Sequence, residues 1–232
     1  MKKVLIAILL LGLLPHASAD YIHWVDFRLS APVLRSALEL DMASQGGEQP
    51  LDWIDILALA AAWRGGTGVT VADTQRAAQA LRGDTPPERL PGMAGRYFSY
   101  YREAYGAALG GLAGHFAIRR TDPQTGEAEW IPAYGLKAFS PIAAGYPWSH
   151  YPDFGAQRSY GYARPHLGND ILGALGTPIC AVEGGTVEAL GWNRYGGWRI
   201  GIRSDDRKRY YYYAHLRKDA PYAPGLAVGQ RV

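Results

Sequence analysis

His166 and Asp170 stand four residues apart in the run His166-Leu-Gly-Asn-Asp170, and a further imidazole, His215, sits in the run Tyr213-Ala-His-Leu216. Zinc accepts nitrogen from histidine and oxygen from aspartate, and a catalytic zinc uses three protein ligands with a fourth position left to water. His166 and Asp170 therefore read as two ligands of a metal site. Residues four apart on a pleated strand face one side, which would let both side chains meet one ion. A plain His–Asp hydrogen bond or surface pair is the competing reading. His215 ends a tyrosine run in which Tyr211, Tyr213 and His215 would share a face, delivering the imidazole to the mouth of a sheet; a structural histidine at a strand end is the alternative. His23, His115 and His150 show no ligand spacing. Cys180, the only cysteine, lies in the apolar run Pro178-Ile-Cys-Ala-Val182 and reads as a buried strand residue rather than a nucleophile.

The elements that must carry these groups follow from the rest of the chain. Its 232 residues, 48% of them hydrophobic, suffice for one large domain or two small ones and argue against disorder. Met1-Lys-Lys3, an apolar stretch from Val4 to Leu14, Pro15 and the small residues Ala17-Ser-Ala19 have the three parts of a secretory signal peptide, with cleavage expected after Ala19. That stretch is shorter than the roughly twenty residues needed to cross a bilayer, so the reading is export, with no membrane span left after cleavage. Removing Lys2 and Lys3 brings the formal charge of +3 close to neutral, which points away from nucleic acid as a partner. A single cysteine excludes an intramolecular disulfide, leaving packing to hold an exported chain together.

Residues 20–117 read as a helical domain. Ser30 is a candidate cap for a helix carrying Leu34, Leu38 and Met42 at a four-residue step. Leu51 to Trp63 is apolar nearly all round, so it should occupy the centre of a bundle. Asp73 to Leu81 and Arg96 to Phe116 give two more helices. The last holds the stripe Phe98, Tyr101, Tyr105, Leu109 and Leu112, and glycines 106, 110 and 114 at a spacing that suggests close helix packing. Residues 118–139 read as a β-hairpin linker turning at Asp122-Pro-Gln-Thr-Gly126. From there to Val232 the period is two, with strands expected at Thr186–Leu190, Trp198–Arg203 and Arg209–His215. That rhythm of strands and turns predicts an antiparallel sandwich or barrel, and an α+β protein of two domains overall.

Several motifs occur in order after Ser140: R-S-Y-G-Y-A-R-P-H-L-G-N-D, G-T-P-I-C-A-V-E-G-G-T-V-E-A-L-G-W, Y-G-G-W-R-I-G-I-R and Y-Y-Y-Y-A-H-L. Together they resemble the catalytic domain of lysostaphin-type (LytM-like) zinc endopeptidases, which cut peptide links in bacterial peptidoglycan. The helical half also resembles the region preceding this domain in some secreted members from Gram-positive bacteria. The resemblance implies that His166 and Asp170 are zinc ligands, that His215 is an active-site histidine, and that Tyr160 helps stabilise the reacting carbonyl oxygen. It further implies peptidoglycan peptides as substrate and a secreted, cell-wall-associated protein. The family's H-x-H motif, source of a third ligand and another catalytic imidazole, has no counterpart up to Val232, so the expectation is a piece of a longer peptidase. No H-E-x-x-H helix is present, so a thermolysin-type glutamate base is not expected either. The rival expectation is a catalytically silent wall-binding or scaffold protein built on the same domain.

Overall fold

The structure is a computed structural model that describes residues 28–159 and 161–232. The expected signal peptide, residues 1–19, and Tyr160 lie outside the described residues. The described chain is mixed α+β, with helices α1 (Ala31–Ser44), α2 (Trp53–Arg64), α3 (Val71–Leu81) and α4 (Met93–Leu109) preceding all of the strands. Two compact units are distinguished among the described residues, one holding 28–37 with 52–105, the other 38–51 with 106–232.

In the first unit α2 is the core element. The Asp52 carboxylate accepts the Ile54 amide at 2.7 Å to start it, and Gly65, at φ 63°, closes it in the left-handed conformation. Trp53, Ile54 and every residue from Ile56 to Ala62 are buried, which is what an apolar helix without a polar face requires. Thr70 and Asp73 form a capping box that starts α3 at Val71, two residues before the expected Asp73. The Asp73 carboxylate also receives Arg64 Nε at 3.0 Å, tying the last turn of α2 to the first of α3.

Two helical expectations are corrected. In α1 the buried side is Val33, Ala37, Asp41 and Ser44, one position away from the expected Leu34–Leu38–Met42 stripe, and Met42 is exposed. Apolar periodicity misses this because the buried side carries Asp41, whose carboxylate is satisfied by Tyr134 Oη at 2.9 Å and Gln45 Nε2 at 2.7 Å. The fourth helix stops at Leu109 rather than continuing to Phe116. Gly111 turns the chain at φ 82°, and Gly114 belongs to a strand, so glycines 106, 110 and 114 do not form a helix-packing face.

Strand β1 (Ala113–Thr121) pairs antiparallel with β2 (Ala128–Leu136) around the expected turn, where Asp122 Oδ1 accepts the amides of Gln124 at 2.7 Å and Thr125 at 3.1 Å. Strands β3 (Trp148–Tyr151) and β6 (Asp170–Gly173) pair with each other, as do β4 (Gln157–Arg158) and β5 (Arg164–Pro165). The longer β7 (Gly185–Asn193), β8 (Gly197–Ser204) and β9 (Tyr210–Leu216) form an antiparallel meander in the expected order. The described strands thus form one three-stranded and three two-stranded sheets, instead of the continuous sandwich or barrel that the turn rhythm suggested.

The meander has its own core: Val187, Ile200 and Ile202 are buried, with Leu190, Tyr211, Tyr213 and Leu216 packed around them. A nearly buried bidentate ion pair supports it. Arg209 donates to both Glu183 oxygens, Nη2 at 3.0 Å, and also to the Gly110 carbonyl, while Tyr211 Oη donates to Glu183 at 2.7 Å. Burial, and then the Glu183 carboxylate, push the Tyr211 phenol well above its ordinary range. Cys180 is half-buried and lies outside the strands, just after an isolated bridge between Ile142 and Ile179, so the expected buried strand position is not what the fold gives it.

Candidate metal centre

Strand register brings the site together. The β3–β6 pair sets Asp170 opposite Tyr151, two residues before Asp153. The short β4–β5 pair continues into two more bonds, His166 N–H to the Ala156 carbonyl at 2.8 Å and Gly155 N–H to the His166 carbonyl at 2.7 Å. His166 is therefore held beside the turn that begins at Asp153, and the next four residues lead into β6. His166 and Asp170 do not ride on one pleated strand, as the four-residue spacing suggested. His166 follows β5 and Asp170 opens β6, and a bend between two ladders brings them together.

Donor atoms of His166, Asp170 and Asp153 all lie within 4.8 Å of one another, a grouping able to hold a metal ion. His166 Nε2 and Asp170 Oδ1 face each other at 3.7 Å, too far for a hydrogen bond, so the plain His–Asp bond is not what links them. A nitrogen about 2.0–2.1 Å and a carboxylate oxygen about 2.0–2.2 Å from one zinc ion can stand at most ~4.3 Å apart, and this separation falls inside that limit. Gly168 keeps the space beside Nε2 clear: a Cβ at that position would come within 3.2 Å of the ring nitrogen. Nitrogen, oxygen and an uncovered approach fit zinc.

The other atoms of the same side chains are already engaged. His166 Nδ1 lies 2.9 Å from Asp153 Oδ2, Arg158 Nη2 bonds Asp153 Oδ2 and reaches Asp170 Oδ2 at 2.8 Å, and Asp153 Oδ1 accepts the Asp170 amide at 3.3 Å. Asp153 is only 6% exposed. Burial alone would raise its carboxyl, but the Asp170 backbone N–H and His166 outweigh that and hold it below the usual carboxylate range. His150 Nε2 meets Asn169 Oδ1 at 3.0 Å, steadying the residue between Gly168 and Asp170.

Sequence reasoning missed Asp153 and the role of Arg158. Asp153 precedes His166 by thirteen residues with no ligand-like interval, and the one available signal was a turn, Asp153-Phe-Gly155, placed before a short hairpin.

His215 is not part of this cluster. It lies near the end of β9, exposed, with its amide bonded to the Gly196 carbonyl at 2.7 Å. The expectation that it shares a face with Tyr211 and Tyr213 fails, because a register shift opposite Arg199 inserts an extra residue and Leu216 takes the inward position instead. His215 is held at φ 56°, a left-handed conformation that costs a β-carbon residue energy and tends to persist at functional positions.

Comparison with known proteins adds three findings. Residues 164–232 match the profile described as Peptidase family M23. Over 98 residues the chain is 42% identical to an L-Ala--D-Glu endopeptidase of Bacillus subtilis (strain 168), a stretch covering 42% of this chain and 28% of that protein's length. A crystal structure assigned to a glycyl-glycine endopeptidase, lytM, of Ruminococcus gnavus ATCC 29149 aligns with 89% of this chain and 69% of its own, at 22% identity and a TM-score of 0.40.

Proposed function

We propose that this protein is a zinc-dependent endopeptidase that hydrolyses peptide bonds in bacterial peptidoglycan, acting outside the cell at the wall, a reading supported by the match of residues 164–232 to peptidase family M23. The observation that carries the reading is the facing pair, His166 Nε2 and Asp170 Oδ1 at 3.7 Å, with Gly168 leaving the approach to Nε2 clear. Zinc bound there would supply a water of lowered pKa and an electrophile for the scissile carbonyl. A catalytic zinc takes three protein ligands, so a donor besides these two completes the set.

The remaining roles belong to the chain's own groups. His215 takes a proton from, or orients, the attacking water, and its exposed, strained position on the bulge suits a group that must reach substrate. Tyr160 donates its phenolic hydrogen to the carbonyl oxygen as negative charge develops there. The L-Ala–D-Glu bond named for the Bacillus relative is the first bond to assay.

Replacing His166 with Ala in the full chain should abolish both zinc retention and cleavage of purified walls. A variant that still cleaves removes the ligand assignment. One observation favours the second reading, a silent wall-binding or scaffold protein: Arg158 already gives both carboxylates a cationic partner. On that reading the wild-type chain sediments with walls, holds no zinc and releases no peptide fragments.

A further inference from the structure

A neutral imidazole has one nitrogen that donates and one that accepts, and only the accepting nitrogen can take a metal. His166 Nδ1 has two neighbours that demand opposite states of it. Asp153 Oδ2, at 2.9 Å, can only accept; Arg158 Nη2, at 3.1 Å, can only donate. If Arg158 wins, Nδ1 is the acceptor, the proton sits on Nε2, and the nitrogen that faces Asp170 is blocked. If Asp153 wins, Nε2 carries the free lone pair.

Asp153 is placed to win. Its buried carboxylate lies directly against Nδ1, and Arg158 has two carboxylates to satisfy instead of the ring: Nη2 bonds Asp153 Oδ2 and Asp170 Oδ2. The same guanidinium fixes which oxygen of Asp170 is left over. With Oδ2 held, Oδ1 is the oxygen that faces Nε2. Asp153 Oδ1 reaches the Asp170 amide as well, so one carboxylate orients the imidazole through its ring and the aspartate through its backbone. Two carboxylates and one guanidinium leave one formal negative charge in surplus, the sign that attracts a divalent cation.

We propose that Asp153 and Arg158 are positioning residues for the metal site: Asp153 selects the Nδ1–H tautomer of His166 and Arg158 holds the far oxygen of Asp170, so that Nε2 and Oδ1 are presented together. This rests on His166 and Asp170 being ligands, as proposed above. Partners behind metal ligands contribute in this way generally, and their loss typically weakens binding 10–100-fold.

The test uses two readouts on the full chain. Long-range nitrogen–proton spectra of the metal-free protein, with the ring neutral, should show His166 protonated on Nδ1, and Asp153→Ala should move the proton to Nε2. Zinc affinity, measured by competition with a chromophoric chelator, should fall 10–100-fold in Asp153→Ala and by less in Asp153→Asn, whose amide oxygen still accepts. Should the alanine variant lose its circular dichroism, the wild-type tautomer carries the test. A wild-type ring protonated on Nε2, or an alanine variant with an unmoved proton and undiminished affinity, overturns the proposal. A wild-type chain that shows the Nδ1–H tautomer but binds no zinc sinks the ligand reading and leaves the Asp153 assignment supported. A direct ligand role for Asp153 is separated by the spectra: affinity would fall while the metal-free tautomer stayed put, which also overturns the proposal.

Discussion

Helix α2 and the segment from 143 to 180 are held together by opposite means. In α2, seven consecutive residues from Ile56 to Ala62 are fully buried, and apolar contact secures them. In the later segment Asp153 is the one described residue that is buried, while both β3 and β6 are exposed along almost their whole length. A stretch with so little apolar burial depends on short ladders and on the polar cluster around Asp153. Its ligand geometry should therefore respond to single polar changes, and the helix should respond to single methylene losses.

The largest expected effect tests the first half of that contrast. Leu57 has no exposed surface, and Leu57→Ala should cost on the order of 2–5 kcal/mol in denaturant unfolding. Zinc affinity of the folded variant should be unchanged. A matching loss of affinity would break the contrast, since it would make the metal site a product of the helical core.

Gly168→Ala tests the second half. The added methyl has backbone room, as Gly168 does not occupy the left-handed region, but it would stand 3.2 Å from His166 Nε2. Zinc affinity should drop about tenfold, roughly 1.4 kcal/mol, with unfolding free energy within ~0.5 kcal/mol of wild type. Unaltered affinity would mean that Nε2 is not the donor, and the site would need rebuilding around other atoms.

What the sequence disclosed follows the same division. The apolar run of α2, the Asp122–Gly126 turn and the order of the meander were legible because each depends on neighbours in sequence. His166 and Asp170 were legible as a pair through residue chemistry, but two ladders bring them together, not one pleat. Asp153 was hidden because its partners lie thirteen and seventeen residues away and converge only through strand register. The facing of His215 was hidden because a bulge breaks the alternation that predicted it. The side of α1 that is buried was hidden because a hydrogen-bonded aspartate occupies it.

The smallest expected effect qualifies the contrast, because the helical unit contains a polar lock of the same kind as the candidate metal centre. Asp73 sits under Arg64 as Asp153 sits under Arg158, with added bonds from the Thr70 amide at 2.9 Å and hydroxyl at 2.6 Å. Burial works to raise the Asp73 carboxyl, but Arg64 and Thr70 outweigh it and hold it below its ordinary value of 3.8. The folded state thus releases this proton more readily than the unfolded chain does. Its contribution is complete above the unfolded pKa of about 3.9 and fades as pH falls through the folded value. Asp73→Ala should cost on the order of 1 kcal/mol near neutrality through loss of the cap, and the difference from wild type should shrink as unfolding is measured below about pH 4. A gap between the two proteins that persists at low pH would mean that the methylene packing of Asp73, and not its charge, secures the start of α3. The charge of the lock would then matter less at α3 than in the segment around Asp153, which lacks an apolar core.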